Sequence, residues 1–379
     1  MSRAPGSPDA IEGYFTLGVE EEYQLVDPET MGLRNEPSAV GYAQRHLGEH
    51  AQSEISGSQL EISTPICRSL ADVRAALRTA RQGAAKGAEQ AGVRLLAAAT
   101  HPFSTWQDQR LTLNVRYIEL YERWGLMALQ QTITGCHVHV GLPSREVTIA
   151  VLDRVRPYLS VLLALTGSSP LWEGIDTGYS SYRTQWYDRW PVTGVPDLLG
   201  SVADFDTLVR QLVATGIVAD SSHLYWDVRP SQRHPTLEYR VADVCTTLDD
   251  AVLHAALARS LTRVTFAGLE RGGPAPEHPM QLLRAARWRA ARWGLDESLV
   301  DVLAPDGSWR LRPAGEVVEG LLARLRDDLE EHGEWEEVRS LTNELLGRGT
   351  SALRQRRLLA RSGGNVTAVA RWLVEETAG

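Results

Sequence analysis

The sequence predicts an α+β fold, on three observations. Segments with strand character lie at 16–26, 51–63, 129–141 and 237–243. An amphipathic helix at 69–91 leads into Val93–Ala99, an apolar run that reads as a further buried strand. From Pro279 onward the chain reads as helical, with breaks at Asp306-Gly307-Ser308 and Gly363-Gly364. The 379 residues are expected to form one catalytic domain: a loose leader at 1–12, a sheet core at 13–269 and a helical part at 270–379.

Thr16 to Val26 is the first strand, with Leu17, Val19, Tyr23, Leu25 and Val26 flanking Glu20-Glu21-Glu22. Side chains alternate across a strand, so Glu20 and Glu22 share one face and Glu21 takes the other. Carboxylates crowded on a buried face need protons, cations or metals to neutralise them. Asp27–Gly32 is a turn, and 37–48 reads as helix. Residues 51–63 read as one strand carrying Glu54 and Glu61, with Gly57 as a bulge. Ser69 caps the helix at 69–91.

After a loop at 101–108, Asn114 to Trp124 reads as helix, with Arg116 and Tyr117 near its start. The strand at 129–141 places His137 and His139 on one face. Residues 146–166 read as a single helix. Ser168 to Pro196 is a long loop rich in Trp, Tyr, Gly, Ser and Arg, and loops of that length in a compact domain are usually functional. A helix at 204–215, a short strand and turn at 225–230, the strand at 237–243 and a helix at 248–269 complete the first part. Glu238 and Arg240 share a face.

Composition excludes several classes. The formal charge of −9 and the scattered arginines oppose a nucleic-acid or anionic-membrane role. No apolar run is long enough to span a membrane, and no secretory h-region is visible near the start. Three cysteines without CxxC spacing point to a reducing cytoplasm. Lys86 is the only lysine and has no glycine-rich loop around it. A Walker A loop and a protein-kinase signature are therefore ruled out. Arginines and metal ions must hold any nucleotide phosphates.

A single ExE or HxH is usually no more than a polar strand face. Four acid- or histidine-bearing segments that would pair into one sheet make a site for hard divalent cations. Oxygen-rich ligation with a histidine suits Mg2+ or Mn2+. Such ions would clamp a transferring phosphoryl group, and the arginine beside Glu238 suits a phosphate oxygen.

Five stretches carry a family resemblance: Gly18-Val19-Glu20-Glu21-Glu22-Tyr23, Gln59-Leu60-Glu61, Gly135-Cys136-His137-Val138-His139-Val140-Gly141, Ser169 to Arg183, and Leu237-Glu238-Tyr239-Arg240-Val241-Ala242-Asp243. Together they resemble the type 2 glutamate–cysteine ligase family, in its YbdK-like carboxylate–amine ligase branch, from about residue 12 to the end. The resemblance implies a glutamine synthetase-like fold, a curved antiparallel sheet flanked by helices. By motif, Glu22, Glu54 and Glu61 would hold one metal, and Glu20, His137 and Glu238 another. Arg240 would face the phosphates of ATP, with His139 beside His137 or in its place. Glu238 and Arg240 are the implied catalytic pair. Arg183, Arg229, Arg116 and Tyr117 are candidates for substrate binding, and the loop at 169–190 for a lid. The implied reaction joins a carboxylate, expected to be that of glutamate, to cysteine or another amine through an acyl phosphate. The implied enzyme is a homo-oligomer acting on small molecules. A guanidino-type phosphotransferase and a non-catalytic metal- or ligand-binding protein of the same fold are the alternatives.

Overall fold

Alternation along the first strand sets up the architecture. A computed structural model describes residues 13–378 apart from 270, 273, 303, 305 and 306. The expected leader and Asp306 therefore lie outside the described residues. In β1 (Leu17–Val26), Leu17, Val19, Glu21 and Tyr23 are buried, while Gly18, Glu20 and Glu22 are only partly covered. One face thus packs on the core and the other opens to a cavity.

β1 is central to a seven-stranded sheet. The other strands are β2 (Ala51–Ser53), β3 (Gln59–Ser63), β4 (Arg94–Leu96), β5 (Gly135–Gly141), β10 (Val228–Pro230) and β11 (Thr236–Asp243). The order is β10-β11-β5-β1-β3-β2, with β4 paired to the far end of β1, and every pairing is antiparallel. Short pairs β6/β7 (Leu171–Trp172 and Ile175–Asp176) and β8/β9 (Thr193–Gly194 and Tyr225–Trp226) decorate the segment between β5 and β10. A separate hairpin, β12/β13, joins Ser298–Asp301 to Arg310–Pro313.

Helices cover the core face. The helix Leu70–Gln90 starts at a capping box, Ser69 accepting from the Asp72 amide and Asp72 accepting from the Ser69 amide. It crosses Ser38–Leu47 at Gly87, where a Cβ would stand 2.4 Å from the Ala43 nitrogen, so only glycine permits the approach. Leu248–Leu269 lies under the sheet, and Ala314–Glu331 and Trp335–Arg348 pack on it. Buried charge locks that junction: Arg263 reaches Asp328 and Glu334 at 2.8 Å, and Arg259 also pairs with Glu334.

Four sequence expectations change. Residues 51–63 are two strands, not one: Gln59 N donates to Ser56 O at 3.0 Å and closes a turn at Gly57, so β2 folds back on β3. The strand ending at Gly141 begins at Gly135, because Leu126–Leu129 is helical. Residues 146–166 break into Arg145–Val155 and Leu159–Thr166 around Pro157, whose missing amide cannot continue the ladder. The C-terminal part is not wholly helical, since β12/β13 interrupts it.

Glu21 is the core-face member of the acidic run. It is fully buried, and Arg81 grips it through Nη2 at 2.6 Å and Nε at 3.0 Å while the Tyr23 hydroxyl donates at 2.5 Å. Arg81 also donates to the carbonyls of Cys245 and Thr246. Glu21 is the anchor that ties a helix to the sheet.

Candidate functional site

Strand register assembles the polar face. Glu20 lies opposite His137 across β1 and β5, Glu22 opposite Glu61 across β1 and β3, and His139 opposite Glu238 across β5 and β11. Glu54 joins from the β2–β3 turn, its carboxylate accepting from the Ile55 amide at 3.1 Å. Two triads result, each with ligand atoms within 4.8 Å of one another: Glu20, His137 and Glu238, and Glu22, Glu54 and Glu61. These six side chains, with His139 and Arg240, line a cavity of about 1110 Å³.

The two triads differ electrically. Glu20 lies 3.2 Å from His137 Nδ1 and 3.3 Å from His139 Nε2. Enclosure alone would raise its pKa, but the hydrogen bonds to both histidines pull it well below the usual range. Burial likewise works against Glu238, yet Arg229 and Arg240 hold it low. His137 drops to about 4, through burial and then the Arg240 charge, so it is a neutral imidazole with a lone pair to give. In the second triad the relief falls short: Arg183, Arg240 and the Gly135 amide pull Glu22 down without offsetting burial. Desolvation, then Glu54, raises Glu22 to about 8. Glu61 also rises well above the usual range, through burial and the charges of Glu20, Glu54 and Glu22, and burial raises Glu54. This donor set of five carboxylates and an imidazole, short of positive charge at one end, fits hard divalent cations.

The arginines divide by what they touch. Arg240 sits beside a bulge in β11, where the register with β5 shifts between Tyr239 and Ala242. It pairs with Glu238 and donates to the Tyr187 hydroxyl at 3.2 Å, and its Nε has no partner among the described residues. Arg229, expected at the substrate, lines the cavity and is also tied to its neighbours. It grips Glu238 at 2.8 and 3.0 Å and donates to the carbonyls of Ser222 and Leu224. Arg183 lines the cavity but is buried, its guanidinium turned toward the Val241 and Arg240 carbonyls and Asp243. It crosses Gly135 so closely that a Cβ there would lie 2.6 Å from Nη2. Arg116 stays exposed at the cavity wall, and the Tyr117 hydroxyl donates to Ser53 O at 3.0 Å.

The segment at 169–190 is not a free lid. Ser169, Ser180 and Ser181 are buried, Ser169 and Ser181 both donate to Asp243 at 2.7 Å, and Ser181 N bonds Ala291 O. It is a fixed wall that brings Tyr187 and Trp190 to the cavity.

Two functional-face residues escaped the sequence reading. Gln24 and Gln59 continue the face beyond Glu22 and Glu61, opposite each other in register. Their amides donate to the Thr132 and Ile133 carbonyls at 3.5 and 2.8 Å. They hold the chain just before Gly135, whose amide donates to Glu22 at 2.6 Å. The parity that paired Glu20 with Glu22 also pointed to Gln24.

Comparison with known proteins meets this geometry. A family model described as glutamate-cysteine ligase family 2 matches residues 16–372. The chain belongs to that family. Membership supplies the reaction class, that of a carboxylate–amine ligase. A relative from Frankia alni, provisionally named a glutamate–cysteine ligase 2-2, is 41% identical over 367 residues, covering 93% of this chain and 94% of its own. One from Salinispora arenicola, provisionally named a glutamate–cysteine ligase 2, is 41% identical over 380 residues, covering 100% and 99%. Among solved structures, a bifunctional glutathione synthetase from Pasteurella multocida superposes on 97% of this ligase with a TM-score of 0.71 at 17% identity. This ligase spans about half of that longer chain, 53%. The glutamate–cysteine ligase of Francisella tularensis, solved with AMP, gives 0.68 at 13% identity over 97% of this chain and 89% of its own. Those two likenesses establish the fold.

Proposed function

We propose that this ligase uses ATP to activate the side-chain carboxylate of glutamate as an acyl phosphate and passes the acyl group to an amine. The observation that carries the reading is the pair of triads on one sheet face with Arg240 beside them, in a cavity larger than a single small ligand fills. Family membership supports the same chemistry, and the AMP bound by the Francisella relative supports a nucleotide.

The side chains have separable tasks. Glu20, His137 and Glu238 would hold one cation, and Glu22, Glu54 and Glu61 a second. Magnesium or manganese bound there offsets phosphate charge as a Lewis acid. Arg240, held by Glu238 and Tyr187 at the cavity wall, would add fixed positive charge beside the phosphates, where groups fixed before reaction are worth most. Arg229 keeps Glu238 ionised and oriented. Gln24 and Gln59 keep the Gly135 amide on Glu22. The Tyr187–Trp190 wall limits water at the reacting carbon. In the first half-reaction a carboxylate oxygen bonds to the γ-phosphorus and the bond to ADP breaks. In the second, nitrogen bonds to the acyl carbon, phosphate leaves with the C–O pair, and the amine proton goes to solvent.

The test combines purified protein, ATP, magnesium, glutamate and a panel of amines. Phosphate release that requires both acid and amine, with an amide product by mass spectrometry, is expected. Phosphate transferred to an amine without glutamate would replace this reading with a phosphotransferase.

A further inference from the structure

The two ends of the cavity are chemically unlike. Along β1 the cavity face runs Gly18, Glu20, Glu22, and Gln24 follows on the same side but is fully buried. At the Gly18 end stand His139, Thr236 and the turn with Arg233 and His234, all polar. Beyond Glu54, apolar side chains gather beside Arg116 and Gln131. Ile55, which follows Glu54 directly, clusters with Leu120 and Trp190, and Tyr225 packs against them. Ile133 and Tyr187 form an adjoining cluster that shares Tyr225. All six line the cavity. The rings interlock: Trp190 lies 5.1 Å from Tyr225, and Tyr187 lies 5.7 Å from it edge-on.

Two polar groups of this wall are already paired with neighbours on the cavity lining. The Trp190 indole donates to Gln131 at 2.8 Å, and the Tyr187 hydroxyl accepts from Arg240 at 3.2 Å. The wall therefore offers apolar faces, beginning one residue from the second triad. A phosphate or a nucleotide gains nothing there. An apolar group does, because covering such surface is the dominant favourable term in binding.

We propose that the acceptor amine carries an apolar or aromatic side group, and that this group lies on the Ile55, Leu120, Ile133, Tyr187, Trp190 and Tyr225 wall. The inference rests on the ligase reading and narrows its second substrate. The amine nitrogen attacks the acyl carbon over the second triad as its side group seats. Each added methylene that fits should raise kcat/KM by about tenfold or more.

The experiment has two arms. In the first, ATP, magnesium and glutamate are incubated with hydroxylamine, which traps an acyl phosphate as the hydroxamate without using the wall. Hydroxamate is expected; its absence overturns the ligase reading, and the inference with it. In the second, kcat/KM is measured for glycine, cysteine, leucine, phenylalanine and phenethylamine. At least one apolar amine should exceed glycine and cysteine by tenfold or more. Phenylalanine against phenethylamine reports whether a carboxylate is also recognised. Ile133→Ala should cut the apolar-over-glycine ratio by about tenfold. Hydroxamate formation with no preference for apolar amines overturns the inference alone. If the variant does not fold, the wild-type panel still decides.

Discussion

Glu21 is buried on the core face of β1, and Arg81 answers its charge at 2.6 Å. Glu22, one residue on, faces the cavity among Glu54 and Glu61 with no cation committed to it, and its pKa climbs to about 8. The same side chain thus meets a matched counter-charge on one face and a cluster of like charges on the other. The difference lies in counter-charge. A carboxylate supplied with a matched guanidinium is finished as a structural element. A cluster of carboxylates left short of positive charge is unfinished until something binds.

The contrast breaks most sharply at Glu22. Glu22→Gln is expected to lower turnover by about 10³-fold or more, as loss of an electrostatic transition-state contact does. Its melting temperature without added metal should stay near wild type, since Glu22 already tends to hold a proton at neutral pH. Full activity in a phosphate-release assay would remove Glu22 from the site. Glu21→Gln should do the reverse. Leaving Arg81 short of its partner costs about 3–5 kcal/mol in urea unfolding, while the folded fraction keeps its specific activity. Replacing Arg81 and Glu21 together with methionine should recover much of that loss.

A third kind of buried group sharpens the rule. His254 has no hydrogen-bond partner for either ring nitrogen among the described residues, and burial lowers its pKa from 6.5 to about 4. The unfolded chain takes up that proton near pH 6.5, the folded chain only near pH 4. Between these values the unfolded state binds more protons, so stability falls as pH falls. The loss reaches about 3 kcal/mol at the acid end. His254→Leu should flatten that part of the stability–pH curve; an unchanged slope would mean that another group sets it.

The smallest expected effect is metal linkage. Magnesium at a hundredfold excess over its Kd should stabilise the wild type by about 2.7 kcal/mol. Glu22→Gln should lose most of that gain and Glu21→Gln none of it. Equal gains in both variants, followed by thermal melts with and without EDTA, would place the ion elsewhere.

Much of this was legible in advance because strand period is two. Glu20 with Glu22, His137 with His139, and Glu238 with Arg240 each fall on one face by counting alone. The helix at 70–90 was legible from Ser69 and Asp72, since a capping box is a local bond pattern. The β2–β3 turn was not, because Gly57 serves a bulge and a turn equally well until the partner strand is known. Nor was the division among the arginines. A guanidinium on a long side chain reaches several ångström, and only packing decides whether it meets a carboxylate, a carbonyl or open space. Arg229 and Arg183 therefore line the cavity while their guanidinium groups meet Glu238, backbone carbonyls and Asp243.

By itself, the sequence determined which strand faces carry acid and imidazole, and through its motifs the family. Tertiary structure decided how those faces combine. It set two strands on either side of β1 so that Glu20 meets His137 and Glu22 meets Glu61. It turned Glu21 onto Arg81, and it set an aromatic wall beside the polar floor. Local alternation needs only neighbouring residues, whereas counter-charge and enclosure come from distant parts of the chain, as with Arg81 sixty positions from Glu21, brought close only by the fold.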